Sequence, residues 1–179
     1  MKMNTTMKTV VGGLAAALAS IVFIISGAAG YGQYFSAVIS GILLLVISYK
    51  TGVKTALCSF AAINVICFIF CADRSGIMLF AALTGYYPVI RGVISRLKNT
   101  LLRIVIKIIL SAVTGSAYFY TGMTFFGFNF VISGLSGELL FTLLVAAYII
   151  LFFIYDTILH FFDKKYKNRI IKLMGHIIK

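Results

Sequence analysis

Residues 138–162 read ELLFTLLVAAYIILFFIYDTILHFF, 25 positions in which Glu138 and Asp156 are the only formal charges. As a helix rising about 1.5 Å per residue, this stretch is about 37 Å long. It exceeds the roughly 30 Å hydrocarbon core of a bilayer, which about 20 apolar residues suffice to cross. A helix that is apolar all round must be enclosed by a large core or by lipid, and a chain of 179 residues offers little protein to enclose it. The segment therefore reads as a membrane span. Working outward, five more stretches are nearly free of charge: 9–29, 31–49, 53–71, 76–90 and 101–121. The fourth is short and holds Gly85 and Pro88, the only proline, which predicts a crossing with little tilt, a locally thinned bilayer or a partly re-entrant segment.

Composition agrees. Apolar residues make up 61% and charged residues 11% of the chain, against about 45–50% and 25% in soluble domains. Three cysteines, Cys58, Cys67 and Cys71, lie inside apolar runs, which excludes a disulfide framework and a zinc module. The formal charge of +12 would suggest a polyanion binder in a soluble chain, but its distribution follows topology instead. Lys2 and Lys8 precede the first span, Lys50 and Lys54 sit between spans two and three, and Arg91, Arg96, Lys98, Arg103 and Lys107 follow span four. Lys164, Lys165, Lys167, Arg169, Lys172 and Lys179 follow span six. The alternate connections hold Arg74 alone, so fifteen of the sixteen cations fall on one side. Short cytoplasmic loops retain Lys and Arg, so six spans with both termini cytoplasmic are expected and no nucleic-acid partner is. The first segment loosely imitates a cleavable signal peptide, but its length and helix-packing pattern favour a span. The expected fold is an all-α integral membrane bundle, one domain over 1–179 with a basic tail over 163–179.

Small residues recur every four positions in span one, at Gly12, Ala16 and Ser20 and again at Ala15 and Ala19. Such a face lets another backbone approach closely, either one of the chain's own helices or a separate membrane subunit. From Arg91 to Lys107, Arg96, Asn99, Arg103 and Lys107 form one stripe, with Arg91 leading in, and Val93, Leu97, Leu101, Ile104 and Ile108 lie opposite. This predicts an amphipathic helix contacting anionic lipid head groups or an acidic partner. Asn64 is the polar residue nearest mid-span and the best candidate for a buried polar contact, to substrate or to a neighbouring helix. Asp156 and His160 are one turn apart, a spacing that reads as a local ion pair at a helix end rather than a metal site. On the opposite side, Gln33, Tyr34, Arg74, Tyr118, Asn129 and Glu138 surround a Phe- and Gly-rich connection over 122–130. They are the candidate lining of a small-molecule pocket with aromatic walls. Arg74 suits a carboxylate or phosphate, or a pair with Asp73 or Glu138. No phosphate loop, zinc-protease or nucleophile-elbow motif occurs, so neither an enzyme nor a self-powered transporter is expected, and no cofactor or metal.

Six spans, the small-residue motif Ala15-x-x-x-Ala19 and the lack of an ATPase motif resemble the substrate-binding S components of energy-coupling factor (ECF) vitamin transporters. Gly85-Tyr86-Tyr87-Pro88-Val89-Ile90 with Arg96-Leu97-Lys98, and Tyr155-Asp156 ahead of the basic tail, are similar to an uncharacterised clostridial membrane-protein family of this type. The resemblance implies a subunit of a bacterial plasma membrane that captures a vitamin-like solute on its outer face. It further implies a T-type transmembrane partner, docked on the small face around Ala15 and Ala19, and two cytoplasmic ATPases. A multi-spanning scaffold resembling MreD-type cell-shape proteins, with no solute site, is the alternative. An enclosed polar outer cavity would separate the first from the second.

Overall fold

The computed structural model describes residues 4–30, 32–71, 74–95, 99–125 and 137–177, with side chains as far as 165, Lys50 excepted. Every regular element among them is helical: α1 (Thr5–Ala28), α2 (Gln33–Thr51), α3 (Val53–Phe70), α4 (Ser75–Leu79) running into a π-helical turn (Phe80–Thr84), α5 (Tyr87–Ile94), α6 (Thr100–Phe125) and α7 (Gly137–Ile177). Five segments are long and apolar enough to cross a membrane, with α4 to α5 counted as one; the apolar helix over Gln33–Tyr49 is shorter. The chain is an all-helical, membrane-type bundle.

Helices α1, α2 and α3 form a tight trio. Ala16, Ala19 and Phe23 of α1 meet Ala37 and Leu44 of α2, Ala56, Ile63 and Cys67 of α3, and Ile77, Phe80 and Val89 of the fourth span. In lipid, where apolar side chains gain nothing by leaving their solvent, close backbone approach and dispersion hold helices together. Here the small residues provide that approach: a Cβ on Gly12 would lie 2.8 Å from both Ser59 Oγ and Thr55 Cγ2. Ser59 Oγ donates to the Gly12 carbonyl at 2.9 Å. Helices α2 and α3 turn directly into each other at Gly52, whose φ of +92° falls where an L side chain is strained.

The fourth span lies between two clusters and is the most enclosed of the five long apolar segments. Its second face joins Leu79, Leu83 and Tyr87 to Leu45 of α2, Phe119 of α6 and Tyr148, Phe152, Tyr155 and Leu159 of α7. Those four α7 residues are spaced four, three and four apart, so they share one helical face. Helix α6 is thinly covered: Ser111, Gly115, Phe119 and Gly122 are its buried residues.

Three expectations are corrected. The small-residue face of α1 is covered by the chain's own helices, with Gly12, Ala15, Ala16, Ala19 and Ser20 all buried. Outward, α1 exposes Val10, Leu14, Leu18, Ile21 and Ile25 instead. Residues 91–107 do not form one amphipathic helix, because α5 stops at Ile94 and α6 starts afresh at Thr100. Finally, α7 does not end with its apolar stretch but continues as one helix to Ile177, 41 residues in all, so much of the basic tail is helical.

Candidate functional site

The fourth span is broken for a reason that starts at Pro88. Proline has no N–H to donate to the carbonyl four residues earlier and its ring crowds that group, and the carbonyl concerned is that of Thr84. Just before it the helix has already widened, with the Gly85 N–H donating to the Phe80 carbonyl at 2.8 Å, five residues back. The orphan Thr84 carbonyl is rescued from another helix: the Tyr155 hydroxyl donates to it at 3.1 Å. Two residues earlier in the fourth span, the Ala82 carbonyl accepts from the Tyr148 hydroxyl at 2.8 Å. Helix α2 closes in at Gly41, where a Cβ would lie 2.1 Å from the Thr84 oxygen and 2.6 Å from the Tyr155 hydroxyl. On α6, a Cβ on Gly115 would fall 2.7 Å from Tyr148 Cδ1. Wide helical turns of this kind recur at functional sites, and interrupted spans are tolerated in membranes where the freed backbone groups find partners.

Two clefts flank this break. The larger, about 700 Å³, lies between α3, the fourth span and α6, and is lined by Asn64, Phe68, Ala82, Thr114, Tyr118 and Thr121 among others. The second, about 550 Å³, lies between α2, the fourth span, α6 and α7, and follows Leu144, Ala147, Tyr148, Leu151, Ile154, Tyr155 and Ile158 along α7. Tyr118 lines both and stacks on Tyr148, ring centroids 6.0 Å apart. Near the break, the hydroxyls of Ser40, Thr84 and Tyr86 are buried without a hydrogen-bond partner.

Beyond α5 the helices are tied by charge. Arg91 Nε meets Asp156 Oδ1 at 3.1 Å, Arg91 Nη1 reaches Asp163 Oδ2 at 3.6 Å and the Leu159 carbonyl at 3.3 Å, and His160 Nδ1 lies 3.2 Å from Arg91 Nη2. The Lys107 ammonium bridges to the other Asp156 oxygen. Tyr87 donates to Asp156 and Tyr49 to Asp163. Two cations balance two carboxylates, and α2, α5, α6 and α7 each contribute. Low local dielectric strengthens such a network when every member has a partner.

The sequence-derived candidates are therefore redistributed. Arg91 and Lys107 do not face head groups; both turn inward onto Asp156, because two cations at that depth are held more cheaply by a carboxylate than by lipid. The expected local pair of Asp156 with His160 is replaced by this wider network. Arg103 is half-buried, and Arg96 and Asn129 lie outside the described residues. Asn64 lines the larger cleft, while its Nδ2 donates to the Phe60 carbonyl of its own helix at 2.8 Å. Gln33 is buried and accepts from Ser75 Oγ at 3.4 Å, Tyr34 lines the second cleft, and Arg74 sits over the Phe68 ring, 5.3 Å from its centroid. Glu138 is exposed at the start of α7. These residues do not converge on one enclosed polar cavity. The residues that sequence reasoning missed are Gly41, Thr84, Tyr148 and Tyr155. The signals were Pro88 four residues after Thr84, which orphans a carbonyl, and two tyrosines seven apart on the face opposite it.

Comparison with protein-family models, with curated protein sequences and with solved structures finds no match to this chain.

Proposed function

We propose that this chain is a six-span protein of a bacterial plasma membrane, both termini cytoplasmic, that binds a small and largely apolar solute in the 700 Å³ cleft beside the broken fourth span. In this reading it acts as an S-component-like subunit, and a T-type membrane protein with two cytoplasmic ATPases drives import. The observation that carries the reading is the juxtaposition of the cleft with the π-turn: Ala81 and Ala82 form one wall, and the few polar groups, Asn64, Thr114, Tyr118 and Thr121, stand around it. An apolar pocket with a small number of placed polar groups is the usual form of a small-molecule site. The partner's docking surface then lies elsewhere than the small face of α1.

The test is a mild-detergent pull-down of the tagged protein from its host, with mass spectrometry of copurifying proteins and retained small molecules, repeated on Thr114→Leu and Tyr118→Ala. A T-type protein with ATPases, or a retained small solute lost in both variants, is expected. A scaffold of the MreD type is the second reading, favoured by the scatter of Gln33, Arg74 and Glu138. Recovery of cell-wall or cytoskeletal proteins with no retained solute would establish it and overturn the first.

A further inference from the structure

The second cleft has a shape that selects its occupant. Along α7 its wall runs from Leu144 to Ile158 at positions 144, 147, 148, 151, 154, 155 and 158, an unbroken stripe on one face of the helix. Fourteen residues at about 1.5 Å rise give a groove about 21 Å long. Its volume of about 550 Å³ is well below the roughly 1,600 Å³ that a helix about 10 Å across and about 21 Å long displaces, so neither a partner's helix nor one from a second copy seats fully inside it. Extended or irregular peptide is excluded at this depth by its unsatisfied backbone groups. Water finds few partners, because the lining is mostly apolar and the Tyr148 and Tyr155 hydroxyls already donate to backbone carbonyls, although the Thr84 hydroxyl there is buried without a partner. An empty groove would strip its lining of contact partners on one side. Leu151, Ile154 and Ile158 remain 45–53% exposed and Tyr34 56%, so the groove opens sideways, toward the space a bilayer would fill.

We infer that this groove is a lipid site that holds one acyl chain of a bilayer phospholipid, lying parallel to α7 against Leu83, Phe119, Ala147 and Leu151. The chain would lie alongside the contact between α2 and α7, which is already made at Gly41 with Tyr155 and at Tyr49 with Asp163. This inference needs only that the protein is membrane-embedded, and it concerns a different cleft from the proposed solute site. Native mass spectrometry of the detergent-purified full chain, stripped stepwise of lipid, tests it. The wild-type protein should retain one phospholipid mass after bulk lipid has gone. Ala147→Trp, which fills the groove, should lose that adduct, and Leu14→Trp, on the lipid-facing side of α1, should keep it. Thermal unfolding of both variants separates loss of the site from loss of the fold; if Ala147→Trp does not fold, Leu151→Trp replaces it at the same wall. Retention that persists in the groove-filled, folded variant, or a wild-type protein with no retained phospholipid, would overturn the inference. A retained non-lipid molecule displaced by Ala147→Trp would overturn it as well and would relocate the solute site to this groove.

Discussion

Asp156 is the residue on which the charged network turns, and neutralising it should do more damage than removing either of its cations. It bonds with Lys107, Arg91 and Tyr87 at once, and the side chains of the two cations are only 15% and 11% exposed. Asp156→Asn leaves Arg91 its contacts with Asp163 and the Leu159 carbonyl but removes the carboxylate that holds Lys107. Breaking a buried pair by deleting one partner costs about 3–5 kcal/mol. Lys107 lies eight residues into α6 and can snorkel part of the way out, so the expected loss for Asp156→Asn is at the lower end, about 3 kcal/mol. Lys107→Met should cost about 1–2 kcal/mol, since Asp156 keeps Arg91 and Tyr87 and only a charged hydrogen bond is lost. The double variant Asp156→Asn with Lys107→Met restores neutrality and should be more stable than Asp156→Asn alone, which requires a coupling of about 2–3 kcal/mol between the two sites, larger than the cost of Lys107→Met. The assay is equilibrium unfolding in mixed micelles, followed by circular dichroism, for the four members of the cycle. Strict additivity, or an Asp156→Asn effect within the roughly ±0.5 kcal/mol of an ordinary surface change, would refute the network as a determinant of stability.

Other expectations follow from the break in the fourth span and from the covered face of α1. Gly41→Ala should destabilise by several kcal/mol or abolish folded yield, because the new methyl meets backbone oxygen at 2.1 Å; Gly13→Ala, with nothing within 4 Å of the added carbon, should be neutral or slightly stabilising by size-exclusion yield and thermal midpoint. Tyr155→Phe should cost about 1–3 kcal/mol by leaving the Thr84 carbonyl unpaired, and Pro88→Ala should recover part of that loss by returning an N–H to the same oxygen; a Pro88→Ala background in which Tyr155→Phe costs as much as before would contradict the assignment. Ala15→Leu with Ala19→Leu should overpack the buried face of α1 by about 1–3 kcal/mol per site. Loss of folded protein is therefore expected, not selective loss of a partner, and a folded double variant of unchanged stability would show the face to be free after all.

The apolar runs, read by length alone, already placed helices close to their observed positions, because helix existence in lipid is dictated by backbone hydrogen bonding. Boundaries moved by a few residues where charge marked the sequence end and the helix ran on, as at Thr5 and at the extended α7. The face periodicity of α1 was readable too, but periodicity says only that a face is smooth. Which body lies against it depends on contacts between residues 47 positions apart, such as Ser59 with Gly12. The cations at 91 and 107 were misread for a related reason. A basic residue beside an apolar run looks the same whether it snorkels outward or turns inward, and its partner Asp156 is 49 and 65 residues away. Gly85 and Pro88 mark the fourth crossing as irregular in the sequence itself, but the consequence for Thr84, and so for Gly41 and Tyr155 on two other helices, needs the third dimension.

The scarcity of acid in this chain makes the placement of that acid informative. Four carboxylates stand against sixteen cations, and two of the four, Asp156 and Asp163, lie in one network with Arg91. A positive-inside bias alone would need no carboxylate near these cations, because loop Lys and Arg are hydrated and need no partner. Arg91 and Lys107 differ from exposed cations in being largely buried, their side chains 11% and 15% exposed. Their charges are met there by carboxylates supplied from α7. Under the proposed orientation the network also sits at the cytoplasmic end, where the remaining cations of the tail begin. The same residues then both hold α5, α6 and α7 together and keep the basic flank of α7 on the inner side. A substitution that empties the network of acid should loosen the helices without inverting them, since it raises the positive charge of that side. Packing and topology are thus separable here, and reporter fusions at Gly30 and Gly52 on the Asp156→Asn background would read topology while unfolding reads packing.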